Sequence, residues 1–499
     1  MYLKIENPGV APAEAFTLMG ASTKRHSENN NLIGKFGTGN KQAIGTLMRA
    51  GLNPIIFCGN LRLTFSTRTQ NVDSGLDSHD FQRIVVTYSG KDAKGVSRTG
   101  TEDLGWVLEH GAIDWQTTDL ALREFVSNSL DRAMEEGEHN FKKQLEQDQD
   151  LNWVQRRDKL EEYLSTATDY KNVNIEVFSD EKRVRANAGT TRVFIPVNED
   201  VFKFYSNIGK WFLHFSEPEM LKETILPKNG RNLGANQTAV IYRRGVRVRE
   251  VETSKNESLF DYNLEDLELD EARKVDDWRV QYEAARCFRN ITEEKMITFW
   301  QSCLNQREVW EHGFYGSTMA GGNSDVWRSS FYKAAGQDAV IATRDTGEYA
   351  ARKGFKVVTV PENFLLAATS YRVPSAQTVL TKDEQEGREV FDADAGALDA
   401  VDWVWSMLVS RGMTNGKAKP EVKTFRRIMD AGGQTLGYYR SGVVYLNQDI
   451  TGGRSVQLLV TALEEVVHHV TGATDNSRDF QDYLLNFIVQ SSVNTEALA

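Results

Sequence analysis

Residues 121–131, Ala-Leu-Arg-Glu-Phe-Val-Ser-Asn-Ser-Leu-Asp, constrain this chain more than any other stretch. Leu122, Phe125, Val126 and Leu130 recur at helical spacing and predict an apolar stripe that seats a helix on a sheet. Glu124, Asn128 and Asp131 then project from one face of that helix. A carboxylate and an amide one turn apart suit two tasks around a triphosphate. The carboxylate can polarise an attacking water, and the amide oxygen can ligate a hydrated magnesium ion. The same pair also occurs on ordinary solvated helices, so its meaning depends on what else the chain carries.

A second motif runs from Ile33 to Lys41, Ile-Gly-Lys-Phe-Gly-Thr-Gly-Asn-Lys, and leads into a helical pattern with Ile44, Leu47 and Met48 apolar. Gly34, Gly37 and Gly39 permit close backbone approach, and the following helix start offers unpaired N–H groups. With Thr38, Asn40 and Lys41 they read as a phosphate cradle. A Walker A loop is excluded because Gly-x-x-x-x-Gly-Lys-Ser/Thr is absent. A dinucleotide fingerprint is excluded because the preceding Ser27–Asn31 stretch is polar and loop-like rather than a strand.

A chain of 499 residues holds several domains with cores of their own. No apolar run approaches the length of a membrane span, and a basic-then-apolar leader is missing. Three scattered cysteines, Cys58, Cys287 and Cys303, argue for a reducing, cytoplasmic setting and against a disulfide framework. The net charge of −11 argues against nucleic-acid binding by the whole surface. The basic run Tyr242–Arg249 alternates and reads first as an exposed strand face. The organisation expected is α+β, with strands at Tyr2–Glu6, Pro54–Cys58, Leu61–Thr67, Phe81–Ser89, Val173–Phe178, Arg183–Ala186 and Thr190–Val197. Residues 135–165 are highly charged and helical in period, which predicts a solvated helical insertion. Segment boundaries fall at 1–200, 201–300, 301–380 and 381–499.

Segments 1–60, 117–137 and 186–197 together resemble the ATP-binding fold of the GHKL superfamily (gyrase, heat-shock chaperone, histidine kinase, MutL). The helix with Glu124 and Asn128 is similar to the family's N-box, which implies Glu124 as general base and Asn128 as magnesium ligand, with Asp131 beside them. Gly34, Gly37, Thr38, Gly39, Asn40 and Lys41 resemble the glycine box after the ATP lid, and 20–31 the lid itself. Gly189-Thr190 is similar to the Gly-Thr pair on the strand closing the adenine pocket. The motif order differs from the family's, because lid and glycine box precede the N-box, so the resemblance implies a circularly permuted Bergerat fold. The best match to the adenine-binding Asp-x-Gly-x-Gly is Asn7-Pro8-Gly9-Val10-Ala11, with an amide at Asn7 where the family has a carboxylate.

Near the C-terminus, Glu464-Glu465-Val466-Val467-His468 resembles the zincin pattern His-Glu-x-x-His with Glu464 in place of the first histidine. Glu464, His468 and Asp475 would be the metal ligands of such a site, with zinc the metal implied, and 381–499 a zincin-like α+β domain. The other reading is an amphipathic helix whose acids and histidines bond locally. The resemblances together imply an ATP- and magnesium-dependent hydrolase whose lid closure signals through a transducer-like 201–300 domain to a protein partner. Arg244 and Lys228 are the expected basic residues reaching the phosphates. Family habit adds homodimerisation on ATP. Two alternatives compete: a non-catalytic interaction protein on the same scaffold, as in phage proteins of the rapid-lysis type, and a zinc metallopeptidase.

Overall fold

Leu3, Ile5 and Asn7 alternate with half-exposed neighbours along strand β1 (Tyr2–Pro8), so one face of the strand turns into a core. The computed structural model describes residues 1–19, 33, 39–73, 77–233, 239–251, 257–269, 275–343, 346–347, 350–351, 353–379, 388–427, 435–475 and 477–492. The expected lid at 20–31 and the cradle residues Gly34, Gly37 and Thr38 lie outside the described residues. The chain divides into two compact units, 1–302 with 307–326, and 303–306 with 327–499.

The first unit carries two sheets. Strands β1, β2 (Ile55–Cys58), β3 (Leu61–Asp73), β4 (Ser78–Lys91), β5 (Ser97–Val107), β6 (Asn174–Phe178) and β7 (Thr190–Pro196) form one antiparallel sheet. Its order is β5-β4-β3-β2-β7-β1-β6, so β1 is an interior strand flanked by two strands far downstream. Helix α1 (Glu14–Thr17) follows β1; helices α2 (Gly39–Arg49) and α3 (Thr118–Gln147) pack on the sheet. The core joins Ile44 and Leu47 of α2, Leu122, Phe125, Val126 and Leu130 of α3, and Ile5, Ile56, Val193 and Ile195 of the strands. Each such large side chain contributes roughly 1.5–3 kcal/mol of burial. This is the seat that the apolar stripe of 121–131 predicts.

Two expectations differ in detail. Residues Glu181–Arg183 form a 3-10 turn instead of opening a strand at Arg183, because Asp180 caps that turn by accepting from the Lys182 N–H. Strand β5 was not anticipated: its polar, mostly exposed residues lack an apolar alternation and take their register from β4. The charged 135–165 stretch is helical, as read. Helix α3 continues through it to Gln147, and α4 (Trp153–Thr166) returns with no buried residue, held by Phe141 stacked 4.2 Å from Tyr163.

The second sheet of this unit has the order β10-β9-β11-β8, built from β8 (Ile225–Pro227), β9 (Ala239–Arg243), β10 (Val246–Val251) and β11 (Phe260–Asn263). The basic run therefore folds as a hairpin rather than one strand. Arg244 (φ 51°) and Gly245 (φ 73°) form its two-residue loop, the positive-φ pair that a type I′ turn requires. The second unit holds a parallel pair, β12 (Ala339–Ala342) and β13 (Lys356–Thr359), and a four-stranded sheet. The latter has the order β14-β15-β17-β16, from β14 (Arg388–Asp392), β15 (Glu421–Arg427), β16 (Gly437–Arg440) and β17 (Val443–Asn447). Helices Ala395–Ser410 and Val456–Thr471 share a core with β17 through Val401, Val404, Val466 and Leu446.

Arg123 on α3 joins the two sheets of the first unit. It is 6% exposed and donates to the backbone carbonyls of Arg247 (3.1 Å) and Val248 (3.3 Å). Arg123→Met keeps the side-chain volume and strands those acceptors, and the expected cost is about 2–3 kcal/mol in chemical denaturation.

Candidate functional site

Between α3 and strands β1 and β7 lies a cavity of about 360 Å³. Phe16, Phe125, Val193, Ala11 and Pro12 give it apolar walls able to hold a flat ring. Its polar lining comprises Asn7 and Thr191 from the strands, Asn40 from α2, and Asn128, Ser129, Arg132 and Glu135 from α3. Asn7, 4% exposed, sits opposite Thr191 in the β1–β7 register. The Thr191 hydroxyl donates to the Gly9 carbonyl (2.9 Å) and accepts from the Ala11 N–H (2.8 Å), fixing the turn that follows β1. Gly9 needs its φ of +80°, and a Cβ there would meet the Arg132 guanidinium at 3.0 Å.

Thr191, rather than the expected Thr190, is the threonine of the cavity. Val193 and Ile195 face the helices, and the two-residue period of β7 places Thr191 on the same side. The Thr190 hydroxyl instead donates to the Asn187 carbonyl at the strand's start (3.1 Å).

On α3 the spacing of 124, 128 and 131 brings the three polar side chains to one edge of α2. Glu124 is buried at 3% exposure, and the Asn128 amide donates to Glu124 Oε1 (2.9 Å) and to Asn40 Oδ1 (2.9 Å). The first turn of α2 lies directly on this carboxylate, since a Cβ on Gly39 would overlap Glu124 Oε1. Lys41 is buried beside them. Burial pushes its ammonium down to about 8, and the nearby Glu124 charge holds it from falling further. Asp131 is not among the described residues that line the cavity; its Oδ1 accepts from the Ile33 N–H (2.6 Å), tying α3 to the segment that enters the glycine motif.

The second sheet also reaches this edge. Arg243 donates to the Ile33 carbonyl (2.9 Å) and, with Arg123, Glu124 and Arg247, lines a small void of about 20 Å³. The two basic residues named from sequence are placed elsewhere. Lys228 pairs with Asp261 (2.8 Å), and Arg244 occupies the turn of the β9–β10 hairpin. Arg243 is one residue before Arg244, and only the hairpin's register distinguishes them.

In the second unit, the Glu464–Asp475 constellation lies along and after helix Val456–Thr471. His468 Nδ1 lies 2.7 Å from the Ala473 carbonyl and its Nε2 2.6 Å from Asp475 Oδ1, so both ring nitrogens are engaged. His469 contacts the Ala418 carbonyl (2.8 Å) and the Tyr439 hydroxyl (3.3 Å). Glu465, 7% exposed, has its carboxyl pushed up to about 7 by burial. Among the described residues no group of three or more His, Cys, Asp or Glu is arranged to hold a metal ion. Of the three ligands expected there, His468 and Asp475 meet each other directly.

Compared with protein-family models, curated proteins and solved structures, the chain matches none of them.

The packing of Gly39 against Glu124 gives a direct test of the α2–α3 contact. Gly39→Ala is expected to swing the flexible Glu124 side chain aside at a stability cost under about 2 kcal/mol. Thermal denaturation checks the cost, and a crystal structure of the variant checks the displaced carboxylate.

Proposed function

We propose that the cavity of the first unit binds a nucleoside triphosphate, ATP above all, with magnesium, in the manner of a circularly permuted GHKL fold, and that the protein hydrolyses it. The observation that carries this reading is the cavity itself. Its lining combines apolar Phe16, Phe125 and Val193 with Asn7, Thr191, Asn40 and Asn128, and the Asn128 amide continues to Asn40 and Glu124. The apolar walls suit a base, and the polar cluster beside the start of α2 suits phosphates.

Glu124 is the proposed general base, oriented by the Asn128 amide and by its contact with the first turn of α2. Lys41 neutralises charge developing on the phosphates. Asn128 would hold magnesium through its carbonyl oxygen, a hard donor of the kind the ion prefers, while its amide nitrogen serves Asn40 and Glu124. When bound, the ion would supply charge neutralisation on the phosphate oxygens. Arg243 and Asp131 both grip the Ile33 backbone, one from each sheet's side, which supports a relay of the nucleotide state to the second sheet and onward to a protein partner.

The amide at Asn7 favours a second reading, in which the scaffold binds a partner without turnover. Magnesium-dependent phosphate release separates the two. Glu124→Ala is expected to lower release at least a hundredfold while leaving nucleotide affinity within about threefold; unchanged turnover in a clean preparation sinks the assignment.

Lys41 is a cation below about pH 8 and neutral above it in the free protein. A step that needs the cation therefore weakens as pH rises through 8. The expected kcat/KM profile falls on that side, and Lys41→Arg moves the fall to higher pH.

A further inference from the structure

We propose that the cavity accepts a 6-oxopurine nucleotide such as GTP about as well as ATP, because Asn7 presents both a hydrogen-bond donor and an acceptor where a carboxylate would present acceptors alone. This inference rests on the nucleotide reading of the cavity. The 6-amino group of adenine is a donor and its ring N1 an acceptor; guanine reverses both, with O6 accepting and N1–H donating. A carboxylate facing position 6 accepts from the adenine amino group and repels the guanine carbonyl there. A carboxamide offers both, an oxygen for the amino group and an N–H for the carbonyl.

The surroundings of Asn7 bear this out residue by residue. Its side chain is buried, and its amide nitrogen donates once, to the Pro8 carbonyl (2.8 Å). The carbonyl oxygen and the second amide hydrogen make no further hydrogen bond among the described residues. One donor and one acceptor are thus left in a buried side chain on the cavity wall. Buried polar groups of this kind are strongly selective for a ligand that completes them.

Arg132, near Asn7, adds a donor for the oxo form. The Arg132 guanidinium and the Glu136 carboxylate together lie over the Gly9 turn, 3.0 and 2.5 Å from where a Gly9 Cβ would be. Glu135 and Glu136 hold the Arg132 Nη atoms at 3.4 and 3.2 Å, while its buried Nε has no hydrogen-bond partner among the described residues. A guanidinium donor suits the carbonyl and N7 of guanine, whereas toward the adenine amino group it sets donor against donor. Glu135, also on the cavity lining, supplies a carboxylate that can accept from the 2-amino group.

Binding of ATP, GTP and UTP to the full chain with magnesium, measured by calorimetry, tests this. Expected are ATP and GTP dissociation constants within about threefold of each other, with UTP bound at least tenfold more weakly. Asn7→Asp, nearly isosteric, should lose at least tenfold in GTP affinity and retain ATP. Arg132→Gln, on the outer side of α3, should weaken GTP and spare ATP, and it serves if the Asn7 variant fails to fold. Wild-type protein that binds ATP at least tenfold more tightly than GTP overturns this inference and leaves the nucleotide reading intact. Protein that binds none of the three overturns the nucleotide reading itself.

Discussion

The first unit depends on a buried carboxylate being given partners. Glu124 lies inside the contact between α2 and α3, and a carboxylate removed from water must be compensated by hydrogen bonds and opposite charge. The Asn128 amide and the Lys41 ammonium answer that demand, and the absent side chain of Gly39 makes the space for it. Those partners arrive from two helices that are far apart in sequence. The requirement to satisfy one charge therefore sets the approach of α2 to α3, and with it part of the cavity lining.

Much of this was legible from residue spacing. The stripe Leu122-Phe125-Val126-Leu130 predicted which side of α3 lies on the sheet, and the polar triad followed from the same period. Asn7 was singled out by its resemblance to a family motif, and because β1 runs on through it to Pro8 it continues the alternation of Leu3 and Ile5. Thr191 was missed although the same alternation, applied to Val193 and Ile195, points to it; a family motif pair drew attention to Thr190 instead. Arg132 and Glu135 were missed for a different reason. They fall one and two turns beyond Asn128 on a stretch whose charge reads as solvated, and only the position of the turn after β1 makes them cavity residues. Arg243 depended on a hairpin register that a run of alternating arginines does not reveal.

The C-terminal constellation shows the opposite case. Its spacing puts Glu464 and His468 one turn apart, as metal ligation would need, yet spacing cannot say what each nitrogen already bonds. The Ala473 carbonyl and Asp475 take both sides of His468, and burial pushes the Glu465 carboxyl up to about 7. The helix contributes Val466 and Val470 to the core of its own unit, which gives its apolar pattern a packing role.

The place of β1 in its sheet bears on how the molecule is made. The Thr191 hydroxyl and the Gly9 carbonyl that meet at the cavity are 182 residues apart, and β1 has both of its neighbours, β6 and β7, beyond residue 173. During synthesis β1 must wait with both edges unpaired until those strands leave the ribosome. At about 5–20 residues per second that interval is on the order of ten to forty seconds, long enough for chaperone capture or edge-to-edge association. Closure of the sheet is thus a late, high-contact-order event, and the cavity comes into being with it. A ligand that touches both β1 and β7 would act as a clasp on the last step of folding as well as on the finished protein.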